Sequence, residues 1–199
     1  MSYQIQAILT DGRKVRGVYG SNDFSVMEKF CEDEFYEYDA FIEDRFDLET
    51  GELSSKKLLE NIICGTTDKS YNHLLLNKED EKFSNSALAA VYSYLHRDLC
   101  LIYGKTINRN KDSWPMFTAY LDEFETRCRA FFKIPYSLDF PHIFCVLYEE
   151  RDVYKQLYTE KLTKRYAEDK ATLAELLKDI EFVFDQMKET GLDLFFCNS

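Results

Sequence analysis

Gly191-Leu192-Asp193-Leu194-Phe195-Phe196, close to the end of the 199-residue chain, decides how the fold is read. A glycine at this place stops a helix, because it enters the left-handed backbone region without a Cβ penalty. Beyond it Leu192, Leu194 and Phe196 recur at period two, the mark of a strand with a face in a core. Upstream, Lys170 to Glu189 carries helical spacing, and another helix precedes it from about Glu149. Ile143 to Tyr148 is short and apolar and fits either a buried strand or a helix start. At the other end Tyr3, Ile5, Ala7 and Leu9 alternate with Ser2, Gln4 and Gln6. Strands at both ends with helices between predict an α+β fold. It is a mostly helical single domain, 1–199, with a small sheet that includes strands near both termini.

The interior fills in from local signals. Asp11-Gly12 reads as a turn, with Arg13 to Tyr19 pairing back as a short strand. Gly20-Ser21-Asn22-Asp23 reads as a helix start. From there to about Arg45, Phe24, Met27, Cys31, Phe35, Tyr38 and Ile42 fall within roughly 80° of arc at helical spacing, a core-facing stripe on a helix for which a break near Asp39 is the alternative. Leu53-Ser54 with Leu58 gives a cap and staple for a helix ending at Gly65. Thr66 to Lys82 reads as a loop with a short element around Asn72 to Leu76. Ser84 or Ser86 starts a helix with Leu88, Val91, Leu95, Leu99 and Ile102 on one face and Gly104 as its stop. Asp112-Ser113-Trp114-Pro115 opens the next, carrying Phe117, Tyr120, Leu121, Phe124 and Cys128. Lys133 to Pro141, with two prolines, is a connector.

Composition excludes several classes. Sixteen percent aromatic residues and three prolines rule out a disordered, collagen-like or linker-like chain, and no repeat of 20 to 50 residues occurs. The six cysteines, at 31, 64, 100, 128, 145 and 197, form no CxxC pair, which zinc ribbons and redox dithiols need. The start Met1-Ser2-Tyr3-Gln4-Ile5 lacks the basic region and apolar run of a secretory leader. No apolar run approaches the ~18 residues of a membrane span. A cytoplasmic protein with reduced thiols, buried as small apolar residues, is expected. At pI 4.8 it repels phosphate backbones and anionic headgroups, so neither nucleic acid nor membrane is expected as a partner.

Chemistry-bearing motifs are sparse. No Gly-rich phosphate loop, GxSxG elbow or HExxH occurs. His96 and Cys100 share a helical face; His142 and Cys145 meet on a helix but diverge on a strand. Both pairs read as core or boundary residues, and His73, His96 and His142 stand in separate segments. No cofactor, metal or catalytic residue is assigned.

Charge placement is the feature above background. Between Asp23 and Leu53 stand twelve acids and two bases, Lys29 and Arg45, so this segment holds −10 of a net −11. Phe30, Tyr36 and Phe41 lie off the core stripe beside these acids. Such a face fits a cationic surface: carboxylates speed encounter and choose the partner, and rings supply holding energy. The expected function is non-catalytic binding of a basic protein partner, as an immunity protein or antitoxin binds a nuclease-like toxin. Its expected contacts are Glu32, Asp33, Tyr36, Glu37, Asp39 and Glu43. Three other readings stand beside it. They are a solvated helix that serves solubility, an enzyme with a spatially assembled His/Cys site, and a self-associating housekeeping domain.

Several short motifs carry a resemblance. Met1-Ser2-Tyr3, Gly20-Ser21-Asn22-Asp23 before a helix, Phe140-Pro141-His142-Ile143 and the closing Gly191 to Phe196 follow one another in an order similar to the YfbM-like group of uncharacterised bacterial proteins and its relatives. The resemblance implies an α+β single domain and no activity, cofactor or catalytic residue.

Overall fold

The computed structural model describes residues 5–107, 128–135 and 141–198. Among them a four-stranded sheet forms from β1 (Ile5–Thr10), β2 (Gly104–Thr106), β3 (His142–Val146) and β4 (Asp193–Asn198). Its order is β2-β1-β4-β3, every pair antiparallel, so the strands nearest the two ends of the chain lie side by side at its centre. Ile143 to Val146 thereby resolves as strand, in register with β4 at Phe144 and Phe196, while Tyr148 opens a 3-10 turn that leads into the next helix.

The central strands are buried on both faces. Ala7, Ile8 and Leu9 are all inaccessible, and so are Leu194, Phe195 and Phe196. Phe195 points at His96 of α4 (Glu81–Ile102), ring centroids 4.7 Å apart. Phe196 points the other way and stacks on Phe144 at 4.3 Å. The hairpin of α5 (Arg151–Arg165) and α6 (Lys170–Thr190) contributes Tyr154, Tyr158, Leu176, Ile180, Val183 and Phe184 to the same core. Asp169 caps α6 and Gly191 ends it in the left-handed region, as its position in the sequence requires.

Two early segments depart from the sequence reading. Arg13 to Tyr19 is not a returning strand but part of α1 (Gly12–Val18), whose N-cap Asp11 accepts from the Lys14 N–H. Val15 and Val18, one turn apart, are its buried face. A contact distant in sequence fixes it: the Gly12 N–H donates to Asp193 Oδ2, and a Cβ at residue 12 would collide with that carboxylate. The long helix after Asp23 is likewise broken. Residues Phe24–Lys29 form a 3-10 helix, the chain extends at Phe30, and α2 runs only over Glu32–Asp39. The extension shifts the helical phase, so Phe30 is buried and stacks on Phe35 at 5.7 Å, while Phe24 and Cys31 are exposed.

The middle of the chain follows its local signals closely. Ser54 caps α3 (Ser55–Cys64), Gly65 ends it in the left-handed region, and Leu53 and Leu58 are buried as a staple pair. The α4 helix starts at Glu81, ahead of Ser84 and Ser86, both of which are buried on it. Past its end Gly104 opens strand β2, where a Cβ would strike the Leu9 carbonyl. The helix expected from Asp112 lies outside the described residues except for its end, helical over 128–132. Arg129 there is buried and donates to Ser93 Oγ (3.0 Å) and the carbonyls of Pro135 (2.6 Å) and Pro141 (3.0 Å).

Candidate functional site

The acidic segment is held by three anchors that leave its outer side free. Phe35, Tyr38, Ile42 and Phe46 enter the core, and burial of a Phe or Ile side chain stabilises by roughly 1.5–3 kcal/mol. Asp39 and Ser55 form a reciprocal clamp between α2 and α3. The Asp39 carboxylate accepts from the Ser55 N–H, and the Ser55 hydroxyl donates to the Phe35 carbonyl at 2.8 Å. On α4, Arg97 Nη2 donates to the Tyr38 hydroxyl (2.7 Å), which donates to buried Asp98. The Tyr38 ring lies almost parallel to Tyr94, 5.6 Å between centroids. Burial pushes the Asp98 carboxyl up from its ordinary value, against the pull of Arg97.

With that side fixed, the other presents a ring among carboxylates. Tyr36 is 81% exposed, and Glu32, Asp33 and Glu37 stand within one helical turn of it. Phe41 follows, 45% exposed, its inner edge against Tyr94 at 5.3 Å. Among the described residues no lysine or arginine lies within salt-bridge distance of Asp33, Glu37 or Glu43.

Seven other acids of the segment are engaged, Asp39 at Ser55 among them, whereas Glu28 and Glu49 are exposed and, like Asp33, Glu37 and Glu43, lie outside salt-bridge distance of any lysine or arginine among the described residues. Glu32 pairs with Lys56 at 3.3 Å, Asp44 with Arg45 at 2.8 Å and Glu52 with His73 at 3.0 Å. Glu34 accepts from the Cys31 N–H, Asp23 from the Ser25 N–H and Asp47 from the Glu49 N–H. Of the six expected contacts, Glu32, Asp33, Tyr36 and Glu37 are exposed on α2 and Glu43 is exposed in the turn after it. Asp39 is not: it is half-buried and works as a structural acceptor. Phe30, expected beside them, is in the core.

The structure also adds a cleft beside this flank, lined by Asp44, Arg45, Asn77, Asp80, Phe83 and Ser84. Phe83 carried a readable signal. In a helix that starts at Glu81 it shares a face with Ala87, Ala90 and Tyr94; a start at Ser84 leaves it in the preceding loop.

The His/Cys pairs resolve as packing. His96 is inaccessible, its Nδ1 2.8 Å from the Tyr19 hydroxyl and its Nε2 3.7 Å from Cys100 Sγ, with Phe132 and Phe195 against the ring. Burial, with the Arg129 cation second, holds its pKa down at about 3, and burial raises the Cys100 thiol. A neutral imidazole beside a protonated thiol lacks the thiolate that nucleophilic catalysis needs. His142 and Cys145, three apart on β3, point to opposite faces. His73 is exposed at Glu52. Cys31 and Cys64 are exposed rather than in the core; Cys100, Cys128 and Cys197 are buried. Among the described residues no cluster of His, Cys, Asp or Glu is arranged to hold a metal, and no helix is long and apolar enough to cross a membrane.

A family model described as a domain of unknown function (DUF7691) matches residues 1–198. No curated protein and no solved structure matches the chain significantly, and none of these comparisons links it to the YfbM-like group.

Proposed function

The chain belongs to the DUF7691 family, and from its own surface we propose that it is a binding protein that docks a basic protein partner on the flank formed by α2 and the turn after it. One observation carries this reading: −10 of the net −11 lies in residues 23–53, where Asp33, Glu37 and Glu43 have, among the described residues, no lysine or arginine within salt-bridge distance, and Tyr36 is exposed. Like charges gathered this way repel one another and cost stability. A cationic partner removes that repulsion. Exposed carboxylates steer encounter and select sign, while Tyr36 and Phe41 provide area for an arginine or lysine stem to pack on. The three anchors behind α2 hold the flank in one shape, which reduces the ordering cost of association. An immunity-type protein that neutralises a basic toxin in the cytoplasm is the specific form this function takes.

The test is affinity capture from the native cell at about 50 mM and about 500 mM salt, since exposed charges are screened within ~10 Å at 0.1 M. Wild type should retain a basic protein at low salt and release it at high salt. The Asp33→Lys, Glu37→Lys, Glu43→Lys variant, with an unchanged circular-dichroism spectrum, should retain none. Equal capture by wild type and variant would falsify the reading.

A further inference from the structure

Resting on that reading, we propose that the partner presents a basic amphipathic segment, and that the cleft beside α2 takes an apolar side chain from it. The cleft lies between the turn at 43–47 and the start of α4, lined by Asp44, Arg45, Asn77, Asp80, Phe83 and Ser84. Its floor is rigid. Phe46 and Leu75 form an antiparallel bridge, flanked by the Asp47 N–H donating to the Leu74 carbonyl (2.8 Å) and the Leu76 N–H to the Arg45 carbonyl (3.0 Å). Phe83, which lines the cleft, is 64% exposed, and Leu76, next in the chain to the lining residue Asn77, is 60% exposed. Water contact forfeits most of the stabilisation that burying such a side chain supplies.

Charge names the occupant. Asp44 and Asp80 both line the cleft, and Glu79 and Glu81 adjoin it in sequence. Lys78 and Lys82 also adjoin it, and Arg45 is already held by Asp44 (2.8 Å) and the Phe41 carbonyl (3.3 Å). Asp80 accepts from Asn77 Nδ2 at 2.9 Å and, among the described residues, has no lysine or arginine within salt-bridge distance. Acids therefore outnumber bases at the rim, which disfavours an anionic lipid or a nucleic acid over the apolar surface. The cleft also continues the α2 flank: Phe41 ends that flank, leans on Tyr94 of α4, and precedes Asp44 by three residues. A helix with lysines toward Asp33, Glu37 and Glu43 and one aliphatic or aromatic residue toward Phe83 engages both.

The experiment uses the full chain and two peptides of about 18 residues with equal charge. One alternates lysine with leucine at amphipathic helical spacing; the other replaces every leucine by serine. Fluorescence anisotropy is read at about 50 mM and about 300 mM salt. Wild type should bind the leucine peptide about tenfold more tightly, the factor that one buried leucine supplies, and the ratio should persist at the higher salt. The Phe83→Ser, Leu76→Ser variant should bring the ratio to one without changing affinity for the serine peptide. Both positions are exposed, so the fold tolerates the change. Equal affinities for wild type, or a ratio that survives in the variant, overturn the subsite while the α2 reading stands. Sedimentation showing a wild-type dimer that Phe83→Ser dissolves overturns it too, since a second copy then covers the patch. Binding of neither peptide at the lower salt overturns both proposals.

Discussion

Tyr38 on α2 donates its phenolic proton to Asp98 on α4, sixty residues away, and accepts a bond from Arg97 in turn. This relationship ties the acidic flank to the longest helix of the described fold. Tyr38→Phe keeps the stacking on Tyr94 but leaves a buried carboxylate oxygen without its donor. The cost should be about 1–3 kcal/mol in urea unfolding. A change below about 0.3 kcal/mol would mean that the network is ornamental.

Asp39 and Glu43 are four residues apart with the same charge, and their substitutions should behave differently. Asp39 holds the first turn of α3 through the Ser55 N–H, a capping role whose loss costs about 0.5–2 kcal/mol. Glu43 is exposed, and Glu43→Ala should stay within about 0.5 kcal/mol of wild type. Thermal unfolding of Asp39→Ala and Glu43→Ala side by side separates the structural acid from the surface one. Equal shifts would contradict the assignment.

Glu37 sits in the last turn of α2, at the negative end of the helix dipole and four residues from Asp33. Both effects are unfavourable. Glu37→Gln should therefore stabilise the protein by a few tenths of a kcal/mol, and the gain should vanish at about 1 M salt, where screening acts within ~3 Å. A salt-independent loss of stability would show that Glu37 makes a favourable contact in the free protein.

His96 should give stability a slope in mild acid. Its pKa is depressed to about 3 in the folded protein against 6.5 in the unfolded chain. The stability tied to its neutral form is complete above pH 6.5 and is lost as pH falls toward 3, because only the unfolded chain takes up the proton in that window. The expected loss is about 1.4 kcal/mol per pH unit. Asp98 and Asp193, raised by burial, act with opposite sign: their contribution is complete below their unfolded value of 3.8 and declines as pH rises through the raised folded values. Urea midpoints between pH 7 and pH 5 should fall for wild type, with a shallower fall for His96→Asn. Identical slopes would refute the buried, neutral imidazole.

What could be read from the chain alone tracks how local each signal is. Ser54, Gly65, Asp169 and Gly191 act through their own backbone neighbours, so helix ends at these residues follow from sequence. The helix over Gly12–Val18 has a local cap in Asp11 but also a contact of Gly12 with Asp193 across 181 positions, which no local pattern carries. A helical wheel drawn through 24–45 puts Phe30 outside the core because it assumes one unbroken phase, and the chain breaks that phase at Phe30 and Cys31. The acids of 23–53 were visible as charge. Their division into free ones and ones turned inward, such as Asp39, comes from the fold of α3 against α2.

The central claim is that Tyr36 and its surrounding carboxylates form the docking flank, and a photo-crosslinker tests it at that position. Benzoylphenylalanine placed at 36 in the full chain should, on irradiation in the native lysate, give an adduct with a basic protein that disappears at about 500 mM salt. The same reporter at Val153, 68% exposed on α5, should give none. An adduct at 153 with nothing at 36, or a Tyr36 adduct indifferent to salt, would contradict the account.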